Sequence, residues 1–315
     1  MVLNELSVEA PAANIPAARD WMEGLVRTLR MATSLGVRPV LRVDHGLDGI
    51  LVGPEYPIAR WRNDLEVDFE ARRFLRSLTS KSPCLSDIVD PDLLERVSGC
   101  DFRCEGQPAF GLSVAFVLQA LAVSLRSDAR WDTSNVRMIV TELEADGNIS
   151  DAEVVVTHAC TPDHVEAHAG WISDRVRKDI TSGRALVADV GGLLPSLTFC
   201  DTALASLEAL NGGSPLFGST ARRLFQLQDY CNDWTQGPFD AKRLASKTTP
   251  ESAPTLARYA AERTFRCPDG AYRVFSWHVR LTPHNWRIHF HPDPPNRRLI
   301  VGYIGPKLPT IEYPT

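Results

Sequence analysis

Phe275-Ser276-Trp277-His278-Val279-Arg280-Leu281 and Trp286-Arg287-Ile288-His289-Phe290 each alternate apolar and polar residues. A period of two belongs to a strand with one buried face. The four residues between them, Thr282-Pro283-His284-Asn285, make a hairpin loop. Pairing Leu281 with Trp286 sets Val279 opposite Ile288 and Trp277 opposite Phe290 on one side. The same register sets Arg280 opposite Arg287 and His278 opposite His289 on the other. A slip of one residue would mix the faces, so burial of the apolar set selects this register.

Opposed cross-strand residues sit about 5 Å apart, where like charges repel. Two arginines and two histidines gathered in this way suit an anion, and phosphate matches the guanidinium fork. Imidazoles that titrate near neutrality can transfer protons. The set therefore contains the parts of a metal-independent ribonuclease: acid, base and charge stabiliser. The competing reading is a solvated sheet face whose Arg and His pair with acids elsewhere in the chain.

The run continues as Trp286-Arg-Ile-His-Phe290, a polar turn at Asp293–Arg298, then Leu299-Ile-Val-Gly-Tyr-Ile-Gly305 and Lys307. This order resembles the central strands of RelE/HigB-type toxins, small β-sheet ribonucleases. The resemblance is confined to the C-terminal end of the chain. It implies RNA cleavage with basic residues and a Tyr or His as functional groups, here Arg280, Arg287, His289, Tyr303 and Lys307. Toxins of that family are shorter and more basic than this chain. The chain as a whole also resembles uncharacterised proteins of bacterial defence islands. That implies an alternative to catalysis: a non-catalytic component of a defence assembly that binds nucleic acid or a protein partner.

Outward from the hairpin, charge is unevenly spread. Net charge is −5 over 315 residues, but Glu251–Thr315 carries +4 and residues 1–250 carry −9. A confined phosphate-facing region on an acidic body fits RNA or another polyanion as partner, and excludes a protein that coats nucleic acid over its whole surface. No apolar run reaches the roughly 18 residues of a membrane span. The longest, Val114 to Leu125, contains Gln119 and Ser124. The N-terminal MVLNELSVEAPAA has no basic segment followed by an apolar one, so a cytoplasmic location without membrane contact is expected. Seven cysteines without paired C-x-x-C knuckles read as free thiols of a reducing compartment.

The expected fold is α+β: a mixed α/β domain over 1–240, a linker at 241–255 and a small antiparallel β-rich domain, RelE-like, over 256–315. Helices are expected at Pro16–Leu35, Phe69–Lys81, Phe110–Ser127, Thr161–Ile180, Leu197–Leu210 and Ser219–Trp234. Strands are expected at Val40–Val43, Val136–Glu144 and Ala152–His158, the last two joined by a turn at Ala145-Asp146-Gly147-Asn148. The linker rests on the Pro, Ser, Thr and Lys content of Thr235–Thr255.

Two further clusters offer metal chemistry. His158, Cys160, His164 and His168 lie at a strand–helix junction, with His164 and His168 one helical turn apart, a spacing able to hold zinc. The bland alternative is a strand–helix junction in which His158 and His164 satisfy backbone groups. Asp64, Glu66, Asp68 and Glu70 invite a divalent-metal nuclease reading, against helix capping and surface charge. No Walker A loop, G-x-G-x-x-G or G-x-S-x-G motif is present, and no organic cofactor is expected.

Overall fold

The computed structural model describes residues 1–86, 88, 90–143, 148–282 and 284–314. The chain divides into two compact units, Met1–Val176 and Arg177–Thr315. The architecture is α+β, with helices packed on several sheets.

In the first unit, β1 (Val2–Leu3) leads into α1 (Ile15–Ser34). Asn14 caps α1 by accepting from the Ala17 N–H, and Pro16 lies in the first turn, where no amide donor is missed. Its buried stripe, Met22, Leu25, Leu29 and Ala32, has helical spacing. β2 (Val40–Arg42) and the small hairpin β3 (Leu51–Gly53) and β4 (Tyr56–Pro57) follow. Next come α2 (Ile58–Trp61), α3 (Phe69–Ser77), β5 (Thr79–Lys81) and α4 (Pro91–Gly99). The unit continues through β6 (Asp101–Cys104), β7 (Gln107–Pro108), α5 (Phe110–Val117), β8 (Ala122–Val123), β9 (Asn135–Leu143), β10 (Ile149–Ala159) and α6 (Pro162–Ala167). The division into units falls inside α7 (Ala169–Asp179).

Among the described residues, the main sheet runs β5-β2-β1-β8-β10-β9-β6-β7. The first five are mutually parallel, and β9, β6 and β7 are added antiparallel. In chain order the parallel strands stand third, second, first, fourth and fifth, a doubly wound arrangement whose switch point lies between β1 and β8. Apolar side chains on the two faces belong to separate clusters. Leu3, Leu41 and Val123 pack with α1, whereas Val2 and Ala122 pack with α5. Parallel strands buried on both sides read as short apolar runs without alternation, which explains why β1 and β8 escape a periodicity test.

Three elements of this unit depart from the sequence reading. The expected Phe110–Ser127 helix stops at Val117. Gln119 takes a left-handed conformation (φ 49°) just past its end, and Ala122–Val123 becomes an inner strand of the parallel sheet, between β1 and β10. α3 ends at Ser77, freeing Thr79–Lys81 to pair with β2. The Thr161–Ile180 helix is two helices, α6 and α7, with His168 as the C-cap of the first. Of the turn expected at 145–148, residues 145–147 fall outside the described residues, but β9 and β10 pair antiparallel as read.

The second unit contains α8 (Gly183–Ala188), α9 (Val190–Leu193), β11 (Leu197–Phe199), α10 (Asp201–Glu208), α11 (Pro215–Asp233), β12 (Thr248–Pro250) and α12 (Ala253–Tyr259). The hairpin β13 (Thr264–Arg266) and β14 (Tyr272–Val274) precedes β15 (Trp277–Leu281), β16 (Trp286–Asp293) and β17 (Arg298–Pro306). Its main sheet, among the described residues, runs β11-β17-β16-β15-β12. The domain boundaries read from the sequence are therefore corrected. Leu197–Phe199, read as helix, pairs parallel with β17, and Thr248–Pro250, read as linker, pairs antiparallel with β15. Strands too short for a full period leave the polar composition of their surroundings to dominate the reading.

The apolar sheet face, with Val279, Leu281, Ile288, Phe290, Leu299, Val301 and Ile304, packs with Leu224 and Leu227 of α11. Along β16–β17 the register shifts between His289, opposite Tyr303, and Phe290, opposite Val301. Gly302 is the extra residue of that bulge, and the shift turns Tyr303 to the polar face and Ile304 to the core. A Cβ on Gly302 would lie 2.6 Å from the ring of fully buried Phe275. Gly302→Ala is therefore expected to destabilise the protein by about 1–3 kcal/mol through overpacking. Urea unfolding followed by tryptophan fluorescence measures it, and an unchanged midpoint would rule out this close approach.

Candidate functional site

β15 and β16 pair in the register set by the hydrophobic pattern: Trp277 with Phe290, His278 with His289, Val279 with Ile288, Arg280 with Arg287, Leu281 with Trp286. On the polar face the two imidazoles lie 5.3 Å apart, centroid to centroid. They are not solvated: His278 is 8% exposed and His289 1%. Tyr303 packs edge-on to His289 at 5.9 Å.

Three groups that the sequence reading passed over complete this face. Glu251 follows β12, inside the expected linker. Its Oε1 lies 3.2 Å from Nη2 of Arg263 and 3.3 Å from Nδ1 of His278. The Arg263 contact is a hydrogen bond, whereas Nδ1 of His278 is at ion-pair distance outside hydrogen-bond alignment. Arg263 has no exposed surface and also donates to the carbonyls of Tyr259 (3.2 Å) and Pro309 (2.8 Å). Thr249, directly across from His278, places Oγ1 3.2 Å from Nε2.

Outside this buried layer, Arg280, Arg287 and Lys307 line one cleft of about 420 Å³ with Thr249, Glu251 and His278. Arg280 is exposed; Arg287 and Lys307 are half-buried, and Lys307 Nζ sits 3.5 Å above the Tyr313 ring. The sequence-predicted basic residues are thus brought together, with His278 in the cleft wall. Tyr303 donates its hydroxyl to the Pro306 carbonyl at 3.1 Å.

The electrostatics follow from this layering. Burial pushes the Glu251 carboxyl up, but contact with His278 and the Arg263 charge outweigh it and hold its pKa at about 2. Burial, reinforced by His278, drives His289 down to about 3, so its imidazole is neutral and its Nδ1 faces the Phe275 carbonyl at 3.3 Å. Burial and the neighbouring Arg280 lower Arg287. Burial and Arg287 lower Lys307, while burial raises the Tyr303 phenol. Glu251, His278 and His289 each offer a ligand atom within 4.8 Å of the others. Arg263, Arg280, Arg287 and Lys307 surround that set, however, so the local field favours an anion over a divalent cation.

The sequence-predicted metal quartet does not assemble. His158 is fully buried, with Nδ1 2.7 Å from the Thr133 carbonyl and Nε2 2.7 Å from Ser124 Oγ. Burial lowers its pKa to about 4. His168 directs Nε2 to the Ser134 carbonyl at 2.6 Å. Both therefore face the backbone of the segment before β9; of the pair named in the bland alternative, His158 does so here and His164 accepts from the Cys160 backbone N–H at 3.4 Å. The acidic run is likewise structural: Asp64 and Glu66 pair with Arg19 at 2.7 and 2.6 Å, and Asp68 caps α3. All seven cysteines are free thiols.

Among the described residues no helix is long and apolar enough to cross a membrane. No protein-family model matches the chain, and no curated protein and no solved structure is significantly similar to it.

The neutral, buried His289 has a consequence for acid stability. Its folded pKa of about 3 lies below the unfolded value near 6.5. The unfolded chain therefore takes up the proton first, and stability is lost as pH falls from 6.5 towards 3, by about 1.4 kcal/mol per unit of pKa difference. Glu251 adds a loss only below about 4.5. Between pH 7 and 4.5, the urea midpoint of His289→Gln should fall less than that of the unaltered protein. Parallel slopes would contradict the burial of a neutral imidazole here.

Proposed function

We propose that the C-terminal unit binds the phosphodiester backbone of RNA and cleaves it without a metal ion. The observation that carries this reading is the convergence of Arg280, Arg287 and Lys307 on one cleft whose two carboxylates are Glu251, already engaged by buried Arg263, and the exposed Glu312. Three like charges held together repel one another, and an anion bridging them relieves the repulsion. A cation-lined cleft disfavours a divalent metal. The nucleophile that suits it is the 2′-hydroxyl of RNA itself, which DNA lacks.

In this reading His278, oriented by Glu251, takes the 2′-hydroxyl proton as the 2′-oxygen bonds to phosphorus. Arg280 and Arg287 neutralise the charge on the non-bridging oxygens. The bond from phosphorus to the 5′-oxygen breaks, and the Lys307 ammonium protonates the leaving oxygen, giving a cyclic phosphate. His289 is too enclosed to exchange protons with a substrate, and its part is to support His278. A toxin-type or anti-phage defence role in a bacterial cell goes with this chemistry.

Burial of both imidazoles favours a second reading, a non-catalytic component of a defence assembly that binds RNA or a protein on the same basic face. Cleavage separates the two. Single-stranded RNA should be cut in the presence of EDTA, and His278→Ala should abolish cutting while leaving RNA affinity within a few-fold. Binding with no cleavage supports the second reading; no binding at all overturns both.

The charge contribution can be tested separately by fluorescence anisotropy with a labelled single-stranded RNA. Each lost phosphate contact should lower the slope of log K against log salt by about 0.7, so Arg280→Ala/Arg287→Ala should lower it by about 1.4. An unchanged slope would place the RNA elsewhere.

A further inference from the structure

The residues left over from the predicted metal quartet make a different set. Cys160 immediately follows β10, and His164 lies on α6. Asp132, which the quartet did not include, ends the turn formed by Ala129–Trp131. Cys160 Sγ is 3.7 Å from Asp132 Oδ1 and 3.7 Å from His164 Nδ1, and His164 Nε2 is 3.7 Å from Asp132 Oδ1. One ligand atom from each residue lies within 4.8 Å of the other two. The two 3.7 Å distances from His164 belong to different ring nitrogens. With one ligand atom per residue the set therefore spans up to 4.8 Å, and it closes slightly to reach the separations of about 3.3–3.8 Å around a tetrahedral zinc ion with bonds of about 2.0–2.3 Å.

We infer that Asp132, Cys160 and His164 form a binding site for a zinc-class divalent cation, held by one thiolate, one imidazole and one carboxylate. A thiolate and a carboxylate balance the charge of the ion. Arg126 donates to Asp132 Oδ2 at 2.8 Å, which leaves Oδ1 turned to Cys160 and His164 and fixes the carboxylate from behind. The preference for this cluster over Glu251, His278 and His289 is electrostatic, because Arg126 is held on the far carboxylate oxygen of Asp132, whereas Arg263, Arg280, Arg287 and Lys307 gather around the other set.

The position in the fold supports the inference independently. Ligands of doubly wound sheets bind at the carboxyl ends of the parallel strands, beside the switch point. Cys160 stands at the carboxyl end of β10. Asp132 lines a cleft of about 410 Å³ together with Arg126 and Asp128, which follow β8, and with Asp20, Trp21 and Arg27 of α1. Three protein ligands leave one tetrahedral position for a water molecule or a bound ligand, the coordination of a reactive centre and not of a closed structural one.

The test is titration of the EDTA-dialysed full-length protein with Co²⁺, and in competition with Zn²⁺, followed by absorption. One equivalent should bind and produce a near-ultraviolet thiolate-to-cobalt charge-transfer band. Cys160→Ser should remove the band. His164→Gln and Asp132→Asn should each weaken binding more than about tenfold. His168→Gln should leave stoichiometry and spectrum unchanged. Near-ultraviolet circular dichroism checks that each variant is folded; if Cys160→Ser is not, the two half-exposed ligand positions decide. Failure to bind one equivalent, or a band that survives in Cys160→Ser, overturns the inference. The RNA assays with Arg280, Arg287 and His278 report on the other unit, so the two results fail independently.

Discussion

A guanidinium without exposed surface organises the polar interior of the C-terminal unit. Arg263 joins the end of α12, through the Tyr259 carbonyl, to the C-terminal tail, through the Pro309 carbonyl, and both to Glu251. Taking a charge out of water is tolerated only where pairing and hydrogen bonds replace the lost hydration, and breaking such a pair leaves a penalty of about 3–5 kcal/mol. The carboxylate of Glu251 is therefore held in place, and His278 with it. The cleft above inherits its geometry from this pair: one wall is the His278 strand, another the tail that Arg263 ties down.

The same economy of buried polar groups recurs in the first unit. His158 and His289 are both enclosed and neutral, and each faces a backbone carbonyl, Thr133 and Phe275 respectively. A buried carbonyl left alone would lose its hydrogen bond to water without replacement, so an imidazole N–H at the right depth is stabilising. Such histidines cannot serve as metal ligands or proton shuttles without abandoning that role. This separates the five histidines of the two candidate clusters into structural ones, His158, His168 and His289, and those with a ring nitrogen turned to a charged or reactive neighbour, His164 and His278.

Charge sorts the two clusters that remain. Around His278 the surrounding side chains are Arg263, Arg280, Arg287 and Lys307, against the already paired Glu251 and the exposed Glu312 of the same cleft. Around His164 they are Asp132 and Cys160, with Arg126 behind. The first suits a phosphate and the second a cation, and the difference arises from neighbours brought in by the fold, because both clusters contain a histidine, an acid and a hydroxyl or thiol.

The sequence alone determined the β15–β16 pairing, residue by residue, because alternation with period two is a local property and only one register buries Val279, Leu281, Ile288 and Phe290 together. It also determined α1 and the β9–β10 pair, each decided by neighbours within a few residues. The tertiary structure alone decided the rest of the site. Glu251, Thr249 and Arg263 lie in polar or short-strand segments without periodicity, and they reach His278 only because β12 closes against β15 and the chain folds back through Arg263. Gly302 turned Tyr303 to the polar face by a bulge that strict alternation does not contain. Asp132 joined Cys160 and His164 across the sheet's carboxyl edge, while His158 and His168 were drawn off to carbonyls that the sequence does not mark as unsatisfied. Periodicity reports which face a residue takes within its own element; which element it meets depends on closing long loops around shared burial, and that is decided only when the whole core forms.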